Sequence, residues 1–491
     1  MREIRNIVAF DCGNSSIRVI LGRFDGEHIE PTLVHQVEQK EIEINGLFYW
    51  DILYIFSELQ KGLQAAYREC GRIDSAGICT WGIDFGMIGG QGQLISNPLC
   101  YRNSLGGRVL QRLSPDERRQ MFDLTGIHNH QMNSLYQLKA YQEEFPEQLA
   151  AVKGILLIPD LLAYLFTGVR AGERTIASTT QYYSVIDKDY SKAVLEKFSL
   201  EPTLFPPLTE NGAVIGEIKP EIANSLKINT FPFICVPSHD TACAAAAAPA
   251  AEGDFAFISS GTWNLIGTEL AKPIVNDDVY ASGLANEGGV FNTITLLKNS
   301  AGMFIIQRIR SEMAASGKKL SWDEIVAMAV SAGDDTLLFD PNDGSLYNPA
   351  SMTEAIRMLF TKTGQNASCS LEEVIRSVYE SLAQSYKYVL DGIEKITGKT
   401  YESIHIIGGG SKNGFLNQLA ADATGKRVYA GPSEATGLGN IGVQIASAFT
   451  GRDKLKEIRR IIRQSVHTEE YLPCTVNHAD KYKRYLELMG K

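Results

Sequence analysis

The sequence predicts an α/β protein of two related halves, residues 1–244 and 245–491. Three observations predict it. At 491 residues the chain is too long for one hydrophobic core, and two large domains account for the length. A β-β-β-α-β order of hydrophobic patterns opens the chain. A similar order returns after the midpoint, alike in pattern rather than in letters.

The elements of the first half follow in order. Ile4 to Phe10 is a short apolar run, and Ile17 to Phe24 alternates as a half-buried strand does. The Asp25-Gly26 turn leads into a third extended run, Ile29 to Val37. Ile52, Ile55, Phe56, Leu59, Leu63 and Ala66 then share one helical face, with Asp51 placed to cap it. Ser75 to Thr80 is the next strand, and Phe233 to Val236 another farther on.

In the second half, Phe255 to Ser259 and Asn264 to Glu269 flank Gly261-Thr262 as strands. Val290 to Leu297 reads as a third, before a helix with Phe304, Ile305, Ile309 and Met313 on one side. The joint is expected in the alanine-rich stretch from Ala244 to Gly253. Ser316 to Ser370 gives only generic helix and loop signals. Ile404 to Ile407 is a buried strand stopped by three glycines, and helical spacing resumes at Phe415, Leu416, Leu419 and Ala423. Val428 to Ala430 is a short strand. Leu455, Ile458, Ile461 and Ile462 mark a last amphipathic helix, whose Lys/Arg face reads as its solvated side rather than a phosphate site.

Composition narrows the function classes. Hydrophobic residues at 44% and charged residues at 21% describe a globular chain, not a disordered one. A net charge of −10 offers no attraction for nucleic acid or anionic lipid, so neither is expected as a main partner. Ala242 to Ala251 is far short of the ~20 apolar residues of a membrane span. The four apolar residues before Asp11 are too few for a signal-peptide core. Eight cysteines, scattered singly, read as buried thiols in a soluble, cytoplasmic protein. Oligomeric state is not legible.

Three loops have the chemistry to hold phosphate. Asp11-Cys12-Gly13-Asn14-Ser15-Ser16 joins two strands, and its small residues let backbone N–H groups approach phosphate oxygens. Asp11, at the strand end, is placed to organise Mg²⁺ through water. Ser259-Ser260-Gly261-Thr262-Trp263-Asn264 is a second such loop in the corresponding place. Gly408-Gly409-Gly410 stands between strand and helix, where a ring or ribose can lie against backbone. Gly437-Leu438-Gly439-Asn440-Ile441-Gly442 matches GxGxxG, the basis of a rival reading as a dehydrogenase. It leaves no strand directly, so its glycines read as helix-packing residues.

The catalytic candidate is Ser238-His239-Asp240-Thr241, between a strand and the alanine-rich helix. A carboxylate at a helix start is favoured in its ionised form and can take a proton from an attacking hydroxyl. Trp81-Gly82-Ile83-Asp84-Phe85 offers a polar pocket in which Asp84 would accept sugar hydroxyls while an aromatic ring covers the sugar.

Asp11 to Arg18, Thr80 to Phe85, Ser238 to Thr241 and Ser259 to Trp263 together resemble the FGGY family of carbohydrate kinases. Tyr101-Arg102-Asn103-Ser104, Asn286-Glu287-Gly288-Gly289, Leu296 to Asn299 with Gln307, the triple glycine, and Ala430 to Ala435 narrow the likeness to members acting on L-rhamnulose. The resemblance implies a two-domain actin-like ATPase (ribonuclease H-like) fold, with ATP and sugar meeting in the interdomain cleft. It implies transfer of the γ-phosphate of ATP, with Mg²⁺, to the primary hydroxyl of a ketose, L-rhamnulose giving L-rhamnulose 1-phosphate. Position by position, Asp240 matches the proton acceptor. Gly82, His239, Asp240, Thr241 and Asn299 match sugar-binding positions, and Asn14, Ser15, Ser16, Ile17, Arg18, Thr262, Gln307 and Gly409 match ATP-binding positions. Two residues depart from the pattern: Ile17 replaces a usual Gly, implying a tighter or shifted first loop, and Cys79 replaces an Asp. L-Fuculose or xylulose as the ketose, and a non-catalytic actin-like nucleotide or sugar sensor, are the alternatives.

Overall fold

The computed structural model describes residues 4–250, 254–333, 337–450, 453–474 and 479–490. The end of the expected joint, 251–253, lies outside the described residues. The chain begins with strands β1 (Arg5–Cys12), β2 (Ser16–Phe24) and β3 (Ile29–Glu38), helix α1 (Ile52–Cys70) and β4 (Ser75–Thr80). Later come β5 (Val214–Glu217), β6 (Pro232–Ile234) and α2 (Asp240–Ala246). Beyond Ala256 run β7 (Ala256–Ser260), β8 (Trp263–Leu270), β9 (Ile294–Ala301) and α3 (Phe304–Ala315). Then follow α4 (Leu371–Thr397), β10 (Ser403–Ile407), α5 (Gly414–Thr424), β11 (Arg427–Ala430), α6 (Ala435–Ala446), α7 (Lys454–Ser465) and β12 (Glu469–Tyr471).

These elements form two compact units. The first comprises Met1–Glu252, Glu269–Leu296 and Ala435–Val466; the second comprises Gly253–Thr268, Leu297–Glu434 and His467–Lys491. The chain thus crosses between units several times, where patterning along the sequence suggests a single joint.

In the first unit the strand order is β5-β6-β4-β1-β2-β3. β1 runs antiparallel to β2 and β2 to β3, while β4 is parallel to both β1 and β6. In the second unit the order is β9-β8-β7-β10-β11-β12, with β7 antiparallel to β8 and parallel to β10, and β10 parallel to β11. An antiparallel strand flanks the parallel ones in each case, β5 beside β6 and β12 beside β11. It precedes its neighbour in the first unit and follows it in the second. The repeated pattern sensed in the sequence is therefore a repeated sheet topology.

α1 forms where expected. The Asp51 side chain accepts from Tyr54 N, and Gly71, with φ 71°, ends the helix in the left-handed conformation that glycine adopts without strain. Ile52, Ile55, Leu59, Leu63 and Ala66 are buried against Val8, Phe10, Val19 and Leu21. Each such side chain taken from water contributes about 1.5–3 kcal/mol, so the apolar stripe holds α1 on the sheet.

The strand expected at Val290 to Leu297 begins four residues late, at Ile294. Val290–Asn292 is instead a 3-10 turn in which Phe291 and Asn292 have φ of 50° and 68°, a conformation no strand contains. The GxGxxG run lies inside α6, buried at every one of its six positions. A Cβ on Gly439 would stand 1.9 Å from the Cys243 carbonyl oxygen, and one on Gly437 2.3 Å from Ile20 Cδ1. These glycines let α6 lie directly on α2 and β2, and the rival dinucleotide loop is absent. On the basic helix α7, Arg459 pairs with Glu269 at 2.8 Å and Arg460 with Glu457 at 3.0 Å. Among the described residues no helix is long and apolar enough to cross a membrane.

Candidate active site

In the first unit, three strand ends meet at one edge of the sheet. Trp81 N donates to Cys12 O at 3.2 Å, and Thr80 N to Ser238 O at 2.8 Å. Hence Asp11 with its following loop, Trp81-Gly82, and Ser238-His239-Asp240 lie side by side beyond the C-terminal ends of parallel strands. Open α/β sheets bind ligands there.

Asp240 opens α2, and its side chain is one-third exposed. Its two oxygens differ. Oδ1 accepts from Thr241 Oγ1 at 3.2 Å and faces His239 Nε2 at 3.5 Å. Oδ2 has no partner among the described residues. The other imidazole nitrogen, Nδ1, lies 3.2 Å from Glu287 Oε2, an ion pair not aligned as a hydrogen bond. Burial alone would lower the His239 pKa; the Glu287 carboxylate outweighs it, helped by Asp240, and lifts it to about 9.

The turn carrying Asp240 is anchored from behind by Glu173, which is 3% exposed. Glu173 Oε2 accepts from Ser238 N at 3.0 Å, Ser238 Oγ at 2.9 Å, Thr175 N at 2.9 Å, Thr175 Oγ1 at 2.5 Å and Ile176 N at 3.1 Å. Oε1 accepts from Asn211 Nδ2 at 2.9 Å. His239 N in turn donates to Thr175 Oγ1 at 3.2 Å. Neither Glu173 nor Glu287 carries a local signal for these roles. Glu287 stands within a motif that only the family resemblance picks out, and Glu173, besides capping the turn at Thr175 and Ile176, reaches Ser238 65 residues away.

The first loop is a tight turn closed by Gly13 N donating to Ser16 O at 2.9 Å and pinned by Gln39 N donating to Ser15 O at 3.0 Å. Ser15 is exposed. Arg18 reaches Asp11 at 3.4 Å across the β1–β2 pair. Asn14 Oδ1 is buried and has no partner among the described residues, an oxygen that suits a hard cation or a bound hydroxyl. The Ile17 side chain is fully buried in the core, so at this position only the backbone is available to a nucleotide.

Asp84 also departs from expectation. It is 1% exposed, and its Oδ2 accepts from Trp50 Nε1 at 2.6 Å, Trp81 Nε1 at 2.9 Å and Tyr101 N at 3.3 Å. Oδ1 accepts from Gln137 Nε2 at 3.3 Å. The carboxyl therefore locks two indoles in place and presents nothing to a sugar. Its neighbour Ile83 is held at φ 71°, strained for a β-branched residue, with its N–H on Thr179 Oγ1 at 2.9 Å. A Cβ on Gly82 would press on Thr179 Cγ2 at 2.9 Å, so glycine is required for this close approach.

Burial raises Asp84 from 3.8 to about 6, its four donors opposing. The folded state thus holds this proton more tightly than the unfolded chain. Its contribution is full below about 3.8 and fades as pH rises through about 6. We expect the stability difference between the parent and Asp84→Asn to shrink over that window, measured by urea unfolding across it. A difference growing with pH would contradict the assignment.

In the second unit, Met303 N donates to Gly261 O and Phe304 N to Thr262 O, both at 3.1 Å. The β7–β8 loop is thereby docked on the start of α3, whose first turn carries Gln307. A Cβ on Gly410 would stand 2.1 Å from Ser260 Oγ, whereas Gly409 faces open space. Asn264 Nδ2 donates to Ala301 O at 3.0 Å, two residues after Asn299. Thr262, Gln307, Gly409 and Asn299 are all exposed and gather at this end of the second sheet. Asp11, residues 14–18, Gly82, Asp84 and His239 to Thr241 all belong to the first unit.

The model of the FGGY N-terminal domain matches residues 6–247, and that of the FGGY C-terminal domain residues 256–448. The chain belongs to the FGGY family of carbohydrate kinases. It is 35% identical over 470 residues, 96% of each chain, to a rhamnulokinase of Bacteroides thetaiotaomicron. Among solved structures it matches a ligand-bound xylulose kinase of Lactobacillus acidophilus with TM-score 0.82 at 16% identity, covering 99% of this chain and 96% of that one. It matches Plasmodium falciparum glycerol kinase with TM-score 0.77 at 14% identity, over 99% and 97%. The doubled sheet is the actin-like ATPase fold of these sugar kinases, and this FGGY kinase is an ATP-dependent phosphotransferase acting on a sugar.

Proposed function

We propose that this FGGY kinase transfers the γ-phosphate of ATP to the primary hydroxyl of L-rhamnulose, giving L-rhamnulose 1-phosphate and ADP. The observation that carries the chemistry is the division of labour at Asp240, with Oδ1 tied to Thr241 and His239 and Oδ2 left to accept a proton. The sugar oxygen attacks the γ-phosphorus, its proton passes to Oδ2, and the bond from phosphorus to the β-bridging oxygen breaks. Phosphoryl transfer depends mainly on positioning and charge stabilisation, which backbone donors at 14–15 and at Thr262 would supply, the N–H groups of Gly13 and Gly261 being used to close their own turns. We assign sugar recognition and the proton acceptor to the first unit, and nucleotide binding chiefly to the second. Mg²⁺ would neutralise charge on the triphosphate. Asp11 and Asn14 would hold it, largely through water, since among the described residues no three His, Cys, Asp or Glu side chains form a metal cluster.

L-Rhamnulose is the sugar of choice because the identity to a rhamnulokinase extends over nearly the whole of both chains. All eight cysteines are free, which suits the cytoplasm as the place of reaction. The test is coupled ADP release with L-rhamnulose, L-fuculose and D-xylulose. L-Rhamnulose should give the highest kcat/KM; a higher value for either other ketose, or no release above ATP hydrolysis alone, would refute the proposal.

A further inference from the structure

We infer that Glu287 is a positioning residue that keeps His239 an imidazolium aimed at Asp240, so that the proton acceptor works beside a fixed positive charge. The inference rests on the reading of Asp240 as proton acceptor. It begins from the strand Ala285–Gly288, where alternate side chains face opposite ways. Asn286 is fully buried. Its Nδ2 donates to Gly126 O and Ile274 O, each at 2.9 Å, and its Oδ1 accepts from Ile274 N at 2.9 Å. Gly288 N donates to Ser178 Oγ at 2.8 Å, and a Cβ there would press on the Arg174 carbonyl at 3.1 Å. With both neighbours fixed, Glu287 between them has little freedom but to face the imidazole.

The imidazole is fixed as firmly. His239 N is held by Thr175 Oγ1, and the preceding residue by Glu173. Its ring therefore bridges two carboxylates, Glu287 at Nδ1 and Asp240 at Nε2. The titratable groups facing it are Glu287 from its own strand, Asp240 from α2, and Glu173 from the segment before Arg174. The thiols of Cys79, beside Asp11 and Asp240, and of Cys243, beside Asp11 and Glu173, are held protonated by burial first. The charged groups that act on His239 among the described residues, Glu287, Asp240 and Glu173, are all carboxylates. Three carboxylates against one buried ring favour the cation, and Glu287 is the nearest.

A cation there does two things for the reaction. It fixes Oδ1, so Oδ2 is the oxygen offered to the sugar hydroxyl. It also places positive charge beside the point where negative charge develops on the attacking oxygen, the arrangement that stabilises a transition state without reorganisation. Without Glu287, burial would return the ring to its neutral form near pH 7.

The experiment compares the parent, E287Q and E287D in two ways: the pH dependence of kcat/KM, and ¹⁵N NMR of histidine-labelled protein with His239 assigned from an H239Q spectrum. The parent should keep His239 doubly protonated at pH 8 and lose activity as pH rises through about 9. In E287Q the ring should be neutral at pH 8 and the alkaline limb should fall by about one unit or more. E287D, which keeps the charge, should return the limb towards the parent. A neutral His239 in the parent at pH 8, or an E287Q profile lowered equally at every pH with its limb unmoved, would overturn the inference. The NMR signal reads the ring whatever the turnover, so failure of Asp240 as acceptor is distinguished by its own variant.

Discussion

Asp240→Asn is expected to lower kcat by about 10²- to 10⁴-fold, the usual cost of removing a general base, with KM for ATP and sugar little changed. Asparagine has the same shape. Its Oδ1 can still accept from Thr241 Oγ1, and the turn behind it is held by Glu173 through backbone and Ser238 rather than through Asp240 itself. What the variant loses is Oδ2. An amide nitrogen there is a donor and cannot take the hydroxyl proton as the phosphorus–oxygen bond forms. Each decade is about 1.4 kcal/mol of barrier, so the expected loss is about 3–6 kcal/mol, concentrated in the transition state. Steady-state ADP release, with calorimetry of ATP and sugar binding, measures both halves. A near-normal kcat would remove Asp240 from the mechanism, and a large rise in KM alone would make it a binding residue.

Much of this architecture can be read along the chain because its signals are local. β1 reads as an apolar run and β2 as an alternating strand, α1 carries one apolar stripe with Asp51 as its cap, and the loops beginning at Gly13 and Gly261 break strands with small residues. The misreadings have two causes: a tight turn that apolar residues do not announce, and a neighbour distant in sequence. Val290 and Phe291 are apolar enough for a strand, but Gly289 N reaches over to Thr293 O at 2.8 Å and turns the backbone first. Asp84 reads as a sugar acceptor until Trp50, 34 residues away, takes its oxygen. Gln39 to Trp50 is different, since its signal is present and local. Asn45-Gly46, both with positive φ, joins strands Glu41–Ile44 and Leu47–Trp50 in the hairpin that such a pair favours. At the site itself, Asp240, His239 and Gly82 stand out in the sequence as residues fit for chemistry. Glu173 and Glu287, which hold them, belong to no pattern that spacing reveals.

Glu173→Ala should be the most destabilising single change near the site, lowering unfolding stability by about 3–5 kcal/mol. Truncation strands the N–H groups of Ser238, Thr175 and Ile176 in the interior, together with two hydroxyls and the Asn211 amide. A buried donor left without an acceptor costs about 1–3 kcal/mol; hydroxyl rotation and entering water keep the total below the sum. The buried Asp160 nearby is pushed well above the usual carboxyl range, by burial first and then by the Glu173 charge, so it offers no ready substitute. Glu173→Gln should be milder. Its carbonyl oxygen can serve the five donors at the Oε2 position, but its amide then faces Asn211 Nδ2, donor against donor. Turning Asn211 over would repair that clash only by giving up the bond its Oδ1 accepts from Phe291 N at 3.1 Å. About 1–2 kcal/mol is the expected loss. Urea unfolding should therefore rank parent, Glu173→Gln, Glu173→Ala in falling order, and kcat should follow the same order because the Ser238–Asp240 turn loosens with its anchor. An alanine variant within about 1 kcal/mol of the parent would mean that water replaces the carboxylate at little cost, and that the turn owes its geometry to β6 and α2 alone.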